Sequence, residues 1–176
     1  DWLDYKVAGR IEAHWRQDRL TLAEHNGNEL IVRLFTEAEA DLPLNPPNTF
    51  ILDLPGNFPY LLFGPRGRQL YLLEATGRLL TVELGRRGVP TLLLEQNLLA
   101  EDVRVTTANV LVGGYSLLVA DSSNRITQWF ATSTNGQLEP IRHFVLDAPV
   151  NQLIPEPRRK GFAAIDALSH LHLLHS

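Results

Sequence analysis

The chain has 176 residues, a mass of 19.8 kDa and a formal net charge of −4 from 16 basic and 20 acidic side chains. That is one ordinary domain or a piece of a larger one, and 44% hydrophobic with 20% charged residues is enough apolar material to bury a core. The acidic balance argues against generic nucleic-acid binding, which needs a positive field to displace counter-ions. The absence of Cys removes disulfides, thiolate nucleophiles and cysteine-ligated metals.

Taken in chain order, four segments share one pattern: Leu20–Phe35, Leu70–Leu84, Leu117–Phe130 and Phe162–Ser176. Each opens with four mostly apolar residues and then one acid: Glu24, Glu74, Asp121 or Asp166. A short polar turn and a second apolar stretch follow. Turn formers such as Asn26-Gly27, Thr76-Gly77 and Ser123-Asn124 reverse the chain, and the alternation of Leu80, Val82 and Leu84 with Thr81 and Glu83 has the period of a strand. The segments therefore read as β-hairpins.

Further strands are expected before three of the hairpins, at Tyr60–Phe63, Val110–Val112 and Val150–Ile154, and after them at Thr49–Leu52, Thr91–Leu94 and Ile141–Leu146. Asp41–Thr49 is a Pro-rich connector without a regular pattern. Leu92–Asp102 also fits i, i+3, i+4 spacing, so a short helix is an alternative there.

The hairpins start 50, 47 and 45 residues apart, the mark of a repeat with one supersecondary unit per period. About four short strands per period match a propeller blade. The expected fold is all-β: β-propeller-like, WD40-like repeats of short antiparallel strands, three to four blades, with residues 1–176 forming a single segment. The absence of Met, with Asp in first place, reads as a piece of a longer protein, hence a fragment of a larger propeller. No stretch approaches the roughly 18 apolar residues that span a bilayer.

Few side chains point to chemistry. The four recurring acids could ring a cation, but recurrence once per structural unit fits an acid that accepts hydrogen bonds from its own turn. His170, His172 and His175 form H-x-H-x-x-H. On a strand the first two share a face, yet no carboxylate stands beside them in sequence to complete a metal site. Arg158-Arg159-Lys160, stiffened by Pro155 and Pro157 and with Arg142 nearby, is the densest basic cluster and a candidate contact for a partner or an anion. Arg66-Gly67-Arg68 and Arg86-Arg87-Gly88 are weaker versions of it. Gly113-Gly114 reads as a turn. No nucleophile motif is present, so no catalytic residue, cofactor or metal is expected, and the chain reads as a non-enzyme.

Trp129-Phe130, Ile141-Arg142-His143-Phe144, the run from Ile154 through Pro155-Glu156-Pro157-Arg158-Arg159-Lys160-Gly161 to Phe162, and Leu173-Leu174-His175-Ser176 resemble the large periplasmic WD40-like insertion of bacterial phosphate ABC-transporter permeases, over residues 103–176. The resemblance implies a docking or regulatory domain on the periplasmic face of the bacterial inner membrane. It also implies the other importer subunits as partners (permease, ATPase and phosphate-binding protein), with membrane contact only through transmembrane segments of the parent chain. The alternative is a WD40-like protein–protein interaction scaffold unrelated to transport. Unpaired edges of incomplete blades predict a homodimer.

Overall fold

The computed structural model describes residues 6, 8–16, 19–36, 47–131 and 136–175. Four antiparallel sheets follow one another along the chain. The first holds β1 (Arg10–Arg16), β2 (Arg19–Asn26), β3 (Glu29–Thr36) and β4 (Asn48–Asp53). The second holds β5 (Tyr60–Phe63), β6 (Gln69–Leu73), β7 (Arg78–Leu84) and β8 (Pro90–Asn97). The third holds β9 (Val105–Val110), β10 (Ser116–Asp121), β11 (Arg125–Ala131) and β12 (Leu138–Val145). The fourth holds β13 (Val150–Pro155), β14 (Gly161–Asp166) and β15 (Leu171–His175). Each sheet is a meander of consecutive strands, and together they are four blades of a β-propeller.

The first three expected hairpins are the middle strands of their blades; in the fourth blade the hairpin is β14 with the edge strand β15. The helical alternative for Leu92–Asp102 fails, because β8 occupies it as far as Asn97. The strand expected at Val110–Val112 lies upstream, in β9, and Val112–Gly114 is a 3-10 turn. Of the Pro-rich connector, residues 41–46 lie outside the described residues, while Asn48 and Thr49 already belong to β4.

The hairpin turns repeat in detail. The residue three places after each recurring acid takes a left-handed conformation: Gly27 (φ 62°), Gly77 (φ 91°), Asn124 (φ 64°) and Ser169 (φ 64°). An amide just beyond three of the outer strands then bonds back to the turn of its own blade: Leu54 N–H to Asn28 O (2.6 Å), Leu98 N–H to Gly77 O (2.9 Å) and Leu146 N–H to Asn124 O (2.9 Å).

The core lies between blades. Leu70 and Leu72 of β6 face the first blade and meet Ala23, Leu30 and Val32. Tyr71 and Leu73 of the same strand face the third blade and meet Leu117, Val119 and Trp129. Leu118, Ala120 and Ile126 then pack on Val150, Leu153, Phe162 and Ala164 of the fourth. The period-two pattern thus serves two neighbours at once, which is why β10 is buried along its whole length.

The first strand of each blade lies innermost. β1 neighbours β5, β5 neighbours β9, and β9 neighbours β13. Side chain to backbone bonds join them: Arg10 Nη1 to Pro59 O (2.8 Å), Tyr60 Oη to Thr106 O (3.1 Å) and Asn109 Nδ2 to Leu153 O (3.0 Å).

Candidate functional site: two cavities sharing His14 and Arg66

β1 alternates Arg10, Glu12, His14 and Arg16 on one face with Ile11, Ala13 and Trp15 on the other. Its pairing with β2 sets Glu12 opposite Ala23 and His14 opposite Thr21, so the polar face turns toward the second blade. There it walls an axial groove of about 550 Å³, closed by Leu62, Phe63 and Gly64 after β5, Ala108 to Leu111 of the third blade, and Gly113-Gly114-Tyr115. The turns that form its mouth are close-packed. A Cβ on Gly114 would sit 2.5 Å from the Gly64 carbonyl, and Gly114 has φ 73°.

Glu12 and His14 are half-buried in this groove. Burial raises the Glu12 carboxyl above its ordinary range, opposed by the Arg10 guanidinium 4.0 Å away. Burial, and then the charge of Arg16, lower the His14 imidazole below its ordinary value. The His14 ring lies 5.4 Å from the Phe63 ring, and a Cβ on Gly67 would collide with its Nδ1, so glycine at 67 leaves His14 its place.

His14 and Arg66 also line a second cavity, a cleft of about 650 Å³ between the first and second blades. Its walls carry Arg16, Arg19, Arg66, Arg68 and Arg86, with Glu83 as the acid among them. The two weaker basic motifs of the sequence thus converge here, although 18 residues or more separate them along the chain.

The cluster ranked first in the sequence does not converge in this way. Arg142 Nη1 donates to the His175 carbonyl (2.9 Å), and Arg159 lies 3.7 Å from Glu156 in the exposed β13–β14 turn with Arg158 and Lys160. None of the four lines either cavity.

The recurring acids act on their turns in three blades. Asp121 Oδ1 accepts from the Ser123 N–H (2.8 Å), and Asp166 Oδ1 from the Leu168 and His170 N–H groups (2.9 and 2.8 Å). Glu74 accepts from the Thr76 hydroxyl (2.9 Å) and pairs with Arg78 (3.2 Å). Glu24 departs from the pattern: it accepts from the Ala8 N–H (2.9 Å) and from Arg33 (2.6 Å). His170 and His172 do have a carboxylate beside them, since both rings approach Asp166 Oδ2 at 3.4 and 3.0 Å. Among the described residues no cluster of three such groups has the arrangement of a metal site.

Sequence reasoning missed the groove because it missed β1. The alternation was present in Arg10–Arg16, but its apolar phase is short and its polar phase is charged.

No family model and no curated protein sequence matches the chain. Solved structures do. The periplasmic gluconolactonase of Pseudomonas aeruginosa superposes with a TM-score of 0.67 at 16% identity, over 95% of this chain and 49% of that one. A candidate 6-phosphogluconolactonase of Bacteroides uniformis gives 0.65 at 12% identity, over 98% and 55%. The WD40 domain of SCAP from fission yeast gives 0.61 at 12% identity, over 95% and 41%.

The chain thus spans about half the length of the structures it matches, and the likeness is one of fold. It corrects the expectation of a non-enzyme. That expectation rested on the lack of a nucleophile motif, and propellers of this fold include a gluconolactonase. Nothing in the comparisons links the chain to phosphate-importer permeases.

Proposed function

We propose that the axial groove binds a small polyhydroxylated lactone and hydrolyses it to the open hydroxy acid. The observation that supports this reading is the β1 array of Arg10, Glu12 and His14 in one groove, with the carboxyl and the imidazole each moved toward neutrality by burial. The gluconolactonase match supplies the substrate class.

His14, neutral at physiological pH, takes a proton from water as the water oxygen bonds to the lactone carbonyl carbon. The ring C–O bond then breaks, and the imidazolium returns its proton to the departing alkoxide oxygen. The new carboxylic acid ionises, and the guanidinium groups of Arg10 and Arg66 hold the resulting carboxylate. Glu12 lies two residues from His14, roughly 7 Å along the strand, where it fixes substrate hydroxyls.

The test is hydrolysis of glucono-δ-lactone followed by pH indicator, against the spontaneous rate. The wild-type chain is expected to exceed background, and His14→Ala to lose about 100-fold or more of that excess. A wild-type rate equal to background, or a His14→Ala rate equal to wild type, overturns the proposal.

A second reading, an interaction surface, draws on the WD40 match and on apolar side chains left uncovered on the outermost blade faces, among them Trp15 (68% exposed) and Leu173 (81%).

A further inference from the structure

We infer that the cleft between the first and second blades is an anion site for a small ligand carrying a phosphate monoester or diphosphate. The inference goes beyond the lactone reading and does not depend on it.

The argument is one of charge placement. The chain is acidic overall, yet five of its 16 basic residues line this one cleft, and among the described residues Glu83 is the acid facing them. They arrive from three places: Arg16 and Arg19 flank the β1–β2 hairpin, Arg66 and Arg68 flank Gly67, and Arg86 follows β7. Among the described residues none of the five is ion-paired. One is tied to backbone, Arg19 Nη1 donating to the Arg86 carbonyl at 3.2 Å across the cleft.

Five cations gathered around one carboxylate repel one another in the empty protein, and an anion relieves that repulsion. All five are Arg and none is Lys. The planar guanidinium fork suits the paired oxygens of a phosphate better than a point charge does. The volume, about 650 Å³, lies in the range of small-molecule sites.

Arg66 adds a backbone observation. It occupies a left-handed conformation (φ 55°, ψ 22°), which glycine adopts without cost and arginine does not, and there its side chain lines both cavities. A glycine would serve the turn better, so the side chain is what the position retains.

The experiment is isothermal titration of the full chain with inorganic pyrophosphate and, separately, inorganic phosphate and gluconate. Pyrophosphate is expected to bind one to one and more weakly as salt is raised. The double variant Arg68→Gln/Arg86→Gln is expected to lose about tenfold or more in affinity, as deleting two charge-assisted contacts should. Arg66→Gly is expected to weaken binding while the thermal midpoint holds, which separates ligand contact from folding. Arg158→Gln/Arg159→Gln, far from the cleft, is the control and is expected to bind as wild type.

Absence of binding to both phosphates overturns the inference. Equal weakening by the control pair overturns it too, because the attraction would then be diffuse. Gluconate binding as tight as pyrophosphate overturns the phosphate class. Arg68 and Arg86 line the cleft and not the axial groove, so Arg68→Gln/Arg86→Gln is expected to lose pyrophosphate binding and keep any lactone hydrolysis, and the two readings fail separately.

Discussion

Asp121 is 3% exposed and gathers the Ser123 amide and hydroxyl and the Arg125 amide on one carboxylate oxygen. Removing it takes the shared acceptor from three part-buried bonds of the turn, so Asp121→Ala should cost about 1–3 kcal/mol, read as a lowered urea midpoint. An unchanged midpoint would show the carboxylate to be idle in the turn. Ser169 sits where two other blades have Gly, with φ 64°. Ser169→Gly should therefore be neutral to stabilising, by up to about 1 kcal/mol, whereas Gly77→Ala should destabilise, since φ is 91° and a Cβ would lie 2.7 Å from Leu99.

The titrating residues set the response to acid. His14 and His25 have their pKa values lowered by burial, so the folded chain resists their protonation. Their contribution is complete above the ordinary imidazole value of 6.5 and is lost as pH falls below it. Asp166 is held low by the His172 ring and then by the His170 and Leu168 amides. Glu95 is held low by Arg78, while at Glu24 the Ala8 amide and Arg33 together overcome a raising effect of burial. Stability from these carboxylates is complete above their ordinary values of 3.8 to 4.5 and is lost below them. Glu12, raised, works in the opposite direction. Denaturant midpoints are thus expected to fall in two steps on acidification, one below about pH 6.5 and one below about pH 4. A midpoint flat from pH 7 to 5 would contradict the histidine step.

At the scale of the strand, burial differs between inner and outer blades. β6 and β10 are buried on both faces, whereas β3 and β14 alternate because one face of each has no neighbouring blade among the described residues. Equal leucines should therefore have unequal weight. Leu118→Ala, fully buried in β10, is expected to cost about 2–5 kcal/mol, and Leu171→Ala, 62% exposed on β15, less than about 0.5. Comparable losses at both sites would mean that the outer face is covered in solution.

The same difference explains what could be read from sequence. Hairpins such as Leu70–Leu84 announce themselves because both faces are apolar and the turn residues are fixed by conformation. β1 does not, because its buried face is the charged face of a groove, and a charged phase reads as solvent. The basic cleft was hidden for another reason. Its arginines come from separate turns, and only the pairing of blades one and two brings them together, while the cluster contiguous in sequence stays in an exposed turn.

At the scale of the whole molecule, the two outermost blades each present an apolar face without a neighbour among the described residues. The first shows Ile11 (39% exposed), Trp15 (68%) and Ile51 (61%); the fourth shows Ile154 (43%), Leu171 (62%) and Leu173 (81%). Inside the chain, every such face is matched by the next blade with a shared hydrophobic cluster. Among the described residues the fourth blade has three strands where the others have four, so β15 is the edge strand of its sheet. Exposed apolar area and an open edge both favour association, and the two faces differ in sequence, so the contact expected is head to tail between copies. The 176-residue chain should therefore show a mass in sedimentation that rises above 19.8 kDa with concentration. Placing charge on the fourth blade, as Leu171→Glu/Leu173→Glu, should return it to monomer without unfolding, because both side chains are already exposed. A wild-type chain that stays at 19.8 kDa across the concentration range would show that these faces do not join two copies.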